Sequence, residues 1–353
     1  MSSASRQAYL NTRVSMMATQ LFKPAAINDL VQLGTQDLAE RFGLQAIFDD
    51  QLTTRAKSRA IEQSLIQVLL SELAVLVRPM NAPERTMVLD WARKYALYNL
   101  KTLIRGKLCN LEQREIRSNL YDLPAILRLP HRELFRAESV LELLRQLEGG
   151  PNRVIARQAR EIYEQRREPF ALEAAIDQRY YTSLVRQVMQ FHDDNLRPLQ
   201  HLIGAELDRV GLLWLLRFRF SYGLSPSETF YQLVPSFRTL HRQRLLRMVD
   251  QDSFERTLEA IPEPLRRMMA GSNTVLDVQK RMGAYVAREA RQILRHSPSG
   301  VARSLAYLML REMDLFVLFA VVQGKLLKLP PELVDIAVEL AEPTCQWRPA
   351  AAA

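Results

Sequence analysis

Cysteine, glycine and proline are all in short supply. Cysteine occurs only at Cys109 and Cys345, 236 positions apart, which excludes a disulfide framework and a cysteine-rich metal site and points to a reducing, cytoplasmic setting. Twelve glycines and 17 prolines stand among 353 residues, about 8% together against a usual ~12%, too few turn-formers for a chain of many short strands. Asn-Gly and Asp-Gly hairpin signals are missing. The most apolar segment, 305–329, does not read as a membrane span of about 20 apolar residues: it is divided by Arg311, Glu312 and Asp314, and its longest unbroken run is 315–322. Arg6 and Arg13 interrupt the apolar positions at the start, so a secretory signal is not expected there. Strand-turn-helix contexts for a nucleophilic Ser, Cys or Thr are absent as well.

What the chain does have is apolar residues at helical spacing. Hydrophobic residues make up 48% of it, ample for buried cores. Ile61, Leu65, Leu69, Leu73 and Leu76 form one stripe, and Leu172, Ile176, Tyr180, Leu184 and Val188 a second. Leu305, Leu308, Met309, Phe316 and Ala320 mark a third; steps of three and four are the helical period. Prolines such as Pro79, Pro124, Pro235 and Pro330 fall between the stripes, where they end or start helices. The expected fold class is all-α. With 48 basic against 39 acidic residues, a formal +9, the charge balance suits an acidic partner surface without naming one.

Self-similarity organises these helices further. Residues 99–111 read NLKTLIRGKLCNL, 211–223 read GLLWLLRFRFSYG and 317–329 read VLFAVVQGKLLKL. Aligned, Leu100, Leu212 and Leu318 coincide, as do Ile104, Leu216 and Val322, and then the basic Lys107, Arg219 and Lys325; the segments lie 112 and 106 residues apart. The pairs Ile61-Glu62, Leu172-Glu173 and Val278-Gln279 repeat at 111 and 106. Two segments agreeing in both offsets predict three units, residues 1–124, 125–235 and 236–353, with joins near Pro124 and Pro235. Three such bundles in sequence can enclose a shared central space, a shape suited to a scaffold or socket.

Those residues carry a family resemblance. ALEAAIDQRYYTSL (171–184), WARKYALYNLKTLIRGK (91–107), REMDLFVLFAVVQGKLLKLPPELV (311–334) and DLPAILRLPHRELFRAESVLELLRQLEGG (122–150) resemble the C subunit of V/A-type rotary ATPases, the family of the vacuolar d subunit, over positions 9–340. Repeat two departs from the pattern with Phe218 where repeat one has Gly106, and repeat three has Gln323 in place of Arg105. The resemblance implies a funnel of three helical domains, peripheral on the cytoplasmic face of the membrane. It implies a non-catalytic subunit that receives central-stalk subunits of D and F type and sits on the proteolipid ring, a monomer within a hetero-oligomeric complex. Neither nucleotide site, metal nor small-molecule substrate is implied. Candidate partner contacts are the basic helix ends: Arg105 and Lys107, Arg217 and Arg219, Lys325 and Lys328.

Other constellations have plainer meanings. Gly106-Lys107 and Gly324-Lys325 lack the earlier glycine and the following Ser or Thr of a phosphate loop, with Lys101 and Phe319 before them and Leu108 and Leu326 after. A helix C-cap with glycine at positive φ is expected instead. His192-Asp193-Asp194 with His201 suggests the alternative of a helical metal-dependent phosphohydrolase, but further converging ligands are missing and a polar helix end is the plainer reading. Residues 236–250 (SFRTLHRQRLLRMVD) read as a helix with Arg238, Arg242, Arg244 and Arg247 around an apolar side. The remaining alternative is a basic scaffold for nucleic acid or lipid. Stacking aromatics are not interleaved among those arginines, so nucleic acid is not expected as a partner. Tyr180, Tyr181, Trp214, Phe218, Phe220, Phe316 and Phe319 are expected to pack in cores.

Overall fold

A computed structural model describes residues 3–150, 152–190 and 197–341. Among these residues there are nineteen α-helices, one π-helical turn and no strand, so the fold is all-α. The chain divides into two compact units, one of residues 1–80, 192–230 and 235–353, the other of 81–191 and 231–234.

The first unit is built around the Gly300–Leu326 helix, apolar on nearly every side. A helix of that composition must be enclosed, and it packs against Ser3–Ala18, Thr54–Val77, Val275–His296 and Pro331–Ala341. Its entry is tight: a Cβ on Gly300 would stand 2.8 Å from the Leu10 Cβ. The Gly300 amide donates to Gln7 Oε1 at 2.8 Å. Thr54–Val77 is long and apolar enough to cross a membrane by length and composition. Its Ile61, Leu65, Leu69, Leu73 and Leu76 stripe is buried in this unit. Glu72 on the same helix accepts from the Tyr307 hydroxyl at 2.9 Å and pairs with Arg311 at 3.2 Å; burial and the Glu72 charge both raise the Tyr307 hydroxyl above its ordinary range, which keeps it a donor.

The same unit pairs Arg197–Leu216 with Val275–His296. Two carboxylates fix the loop beside that pair. Asp208, fully buried, accepts the Thr239 and Leu240 amides at 3.2 and 2.8 Å. Glu289 takes Arg238 at 2.7 Å and His201 at 3.0 Å. Burial alone would raise the Glu289 pKa, but the hydrogen bonds from His201 and Arg238 hold it at about 2. The expected helix over 236–250 therefore begins only at Arg242, because residues 236–240 serve those carboxylates as a loop; Arg242–Val249 is the helix observed.

The second unit pairs Ala82–Leu108 with Pro169–Met189 and adds Arg153–Arg166 and three short helices. Asn81 and Glu84 form a capping box at the start of Ala82–Leu108. Trp91, Tyr95, Leu100, Leu103, Leu172, Ile176, Tyr180 and Leu184 make its core. Two buried polar groups tie the core to backbone: Asn99 exchanges two hydrogen bonds with Tyr121, at 2.9 and 2.8 Å, and the Tyr180 hydroxyl donates to the Trp91 carbonyl at 2.7 Å. Of the aromatics expected inside, Tyr180 and Phe218 are buried, while Phe316 is exposed on its helix.

Candidate functional site

The basic residues singled out in the sequence lie at three helix ends, and these ends share one construction. Ala82–Leu108 closes with Asn110 left-handed at φ 52°, the Asn110 amide donating to the Lys107 carbonyl and the Leu111 amide to the Gly106 carbonyl at 2.8 Å. Gly300–Leu326 closes the same way: Lys328 at φ 53°, its amide on the Lys325 carbonyl, and the Leu329 amide on the Gly324 carbonyl, again at 2.8 Å. This is the Schellman arrangement, which satisfies carbonyls a helix end leaves open.

Gly106 and Gly324 themselves lie inside the helices, at ordinary φ. The expectation of a glycine C-cap is thus corrected: the left-handed residue comes four positions later. The glycines serve packing, since a Cβ at Gly106 would meet Ile116 at 2.5 Å, and one at Gly324 would meet Val334 at 2.5 Å. In each case the partner stands ten residues on, buried in the short helix that follows.

The middle end reaches a like turn by another route. Where the others have glycine it has Phe218, and residues Arg217–Ser221 wind as a π turn. The Leu224 amide reaches the Phe218 carbonyl at 2.8 Å, one residue farther along than in the other two, and Gly223 takes the left-handed place at φ 68°. A π turn holds an extra residue; the phenyl ring of Phe218 lies tilted against Trp214 and Tyr222, with ring centres 6.0 and 6.3 Å away.

The six candidate contacts fall into distinct environments. Lys107 donates to the Ala137 and Phe135 carbonyls at 2.5 and 3.3 Å, closing the end of His131–Arg136. Arg219 does the same for Arg242–Val249, through the Val249 and Gln251 carbonyls at 3.0 and 3.3 Å, and also holds the Leu224 carbonyl at 2.9 Å. Cations at these positions complement negative helix ends. Arg105 forms a two-pronged pair with Glu173, both contacts at 2.5 Å, on a side chain that is 58% exposed. Lys101 next to it holds Asp177 at 2.8 Å; burial pushes the Asp177 carboxyl up and the Lys101 ammonium pulls it back. Arg217 donates to Gln279 at 2.8 Å. Glu173 and Gln279 are the repeat-matched positions of the sequence, so a matched arginine meets a matched residue once in each of the two compact units. Lys325 is half-buried and Lys328 exposed, and neither side chain has a partner among the described residues.

No set of three or more His, Cys, Asp or Glu side chains is placed to hold a metal ion among the described residues. His192, Asp193 and Asp194 lie outside those residues, as does Cys345. His201 serves Glu289. Sequence reasoning missed Glu289 and Asp208, whose partners lie 31 to 88 residues away and share no periodic signal with them.

Comparison with known proteins places this architecture. A family model described as ATP synthase (C/AC39) subunit matches residues 10–335. The chain is 24% identical over 339 residues to the A-type ATP synthase C subunit of Methanocaldococcus jannaschii, covering 92% of this chain and 84% of that protein. It is 22% identical over 345 residues to the A-type ATP synthase C subunit of Methanosarcina mazei, covering 94% and 92%. With that of Halorubrum lacusprofundi it shares 21% identity over 335 residues, 91% and 94% of the two chains. Matched along nearly its whole length, the chain belongs to the ATP synthase (C/AC39) subunit family.

Proposed function

We propose that this chain is the non-catalytic coupling subunit of an A/V-type rotary ATPase, joining central-stalk subunits of D and F type to the membrane proteolipid ring from the cytoplasmic face. The observation that carries the reading is the length of the match: relatives named as the C subunit of an A-type ATP synthase align over more than nine-tenths of the chain. Such a coupler needs stiffness, which close-packed helix pairs supply, and complementary polar surfaces. The likeness of the three helix ends supports a chain of three tandem repeats, 1–124, 125–235 and 236–353, which would form a funnel around the stalk.

Within this reading the six basic residues have two tasks. Lys107 and Arg219 stiffen their turns through carbonyls; Arg105, Arg217, Lys325 and Lys328 carry charge toward the surface and are the proposed contacts. The direct test is purification of the tagged chain from detergent-solubilised membranes. Stalk and proteolipid subunits should accompany it, and the pair Arg217→Glu with Lys328→Glu should lower their recovery while the chain keeps its melting temperature. Purification of the wild-type chain free of both kinds of partner overturns the reading.

A further inference from the structure

The third helix end differs from its two counterparts in a way that exposes a docking surface. Counting from the left-handed residue of each turn, Leu333 stands where the other ends have Glu115 and Glu228, and Ile336 where they have Ser118 and Tyr231. Leu327 occupies the place of Cys109 and Tyr222. Leu327, Leu329, Leu333 and Ile336 are all exposed, between 38 and 50%, while Val334 and Val338 on the opposite side of the same helix are buried. Leu329 is matched by Leu111 and Leu224, so the scaffold is common and the aliphatic residues that set the third end apart are Leu327, Leu333 and Ile336. A contiguous exposed apolar face is a marker of an interaction site.

The matching cation marks what belongs there. Lys107 and Arg219 each close the C-terminal end of a short helix later in the chain. Lys325, at the same position of the third end, has no partner among the described residues. An ammonium placed to receive the last carbonyls of a helix, beside four exposed aliphatic side chains, fits one kind of occupant. We infer that the third end is completed by another protein of the complex: the C-terminal end of a short apolar helix docks on Leu327, Leu329, Leu333 and Ile336 with its last carbonyls on Lys325. This rests on the chain working inside a multisubunit complex, and it assigns the third end a binding role that the other two ends, closed by their own helices, do not have.

The test uses the full chain in its native membranes, with a photo-cross-linking amino acid at position 333 and, as control, at position 115. The expected result is an adduct at 333 alone that maps to the C-terminal turn of a helix in another protein of the complex. A second arm measures recovery of the complex on the double variant Leu333→Glu and Ile336→Ser, which restores residues natural to the first end, and on Lys325→Ala. Both should reduce recovery at least about tenfold relative to wild type, with unchanged melting of the free chain. The inference is overturned if the adduct maps to this chain's own residues 342–353, to a second copy, or to no helix end, or if the double variant is recovered like wild type. Failure of the wild type itself to recover stalk and ring proteins would count against the coupling role, and the mapped adduct at 333 would still decide the docking surface.

Discussion

The first and third helix ends reach their turn with a glycine, the middle one with a phenylalanine, and the contrast teaches how one turn tolerates opposite side chains. At Gly106 and Gly324 the following short helix comes so close that even a methyl group has no room. At Phe218 the backbone takes in one more residue as a π turn, and the buried ring lies between Trp214 and Tyr222, one turn to either side of it. Gly106 and Gly324 thus close their turns by the near approach of Ile116 and Val334, and the middle end closes with an aromatic cluster around Phe218.

Phe218 offers the largest break of this comparison. It is 5% exposed and packs near Trp214 and Tyr222. Phe218→Ala leaves a cavity at a turn with no glycine-style closure, so a loss of about 3 kcal/mol is expected, read as a lower urea midpoint of the transition that reports this unit. Phe218→Gly should not rescue it, because the extra residue of the π turn remains.

The glycines come next. Gly324→Ala must push against Val334 Cγ2, on a branched side chain with few ways to move. Overpacking of this kind costs about 1–3 kcal/mol, more than the helix propensity gained. Combining Gly324→Ala with Val334→Ala should cost less than the sum of the two, a coupling visible in a double-mutant cycle. Strict additivity would show that the glycine is present for another reason.

A polar contrast is set by Glu289. Its pKa of about 2 in the folded chain lies below an unfolded value of roughly 4.3. A depressed carboxyl contributes stability that is fully present above the unfolded value and is lost as pH falls from there toward 2. Glu289→Gln should destabilise the first unit by about 1–2 kcal/mol at pH 7, and the gap to wild type should narrow below about pH 4. An unchanging gap between about pH 7 and 3 would remove the charge from the account.

Much of this was legible in the residues themselves. The Ile61 to Leu76 stripe, the Leu172 to Val188 stripe and the prolines between them announce long helices, and local periodicity is enough for that. The alignment of Lys107, Arg219 and Lys325 was equally open to reading, since matched spacing needs no coordinates. The position of the left-handed residue was not. Gly106-Lys107 carries the composition of a helix end, but the glycine answers to Ile116, a neighbour that only the fold brings within reach; the left-handed place falls to Asn110, a residue type that tolerates it, and to Lys328, which does not advertise it. The helix expected from Ser236 failed for a like reason: Asp208 and Glu289 claim its first residues from distant helices, and tertiary hydrogen bonds outweigh a local apolar pattern.

The smallest effect separates the first two ends at their repeat-matched contact. Arg105 meets a carboxylate in Glu173, whereas Arg217 meets the neutral Gln279. Both arginines are exposed, so neither bond is worth much: about 0.5–1 kcal/mol for the pair and less for the neutral contact. Salt distinguishes them. The cost of Arg105→Ala should shrink as ionic strength rises toward about 1 M, where the screening length falls to about 3 Å, and the cost of Arg217→Ala should stay flat. Gln279→Glu should then give the second end the salt sensitivity of the first, because it turns a dipole contact into an ion pair at the same 2.8 Å position. If Gln279→Glu leaves Arg217→Ala insensitive to salt, the two contacts match in sequence spacing alone and not in geometry.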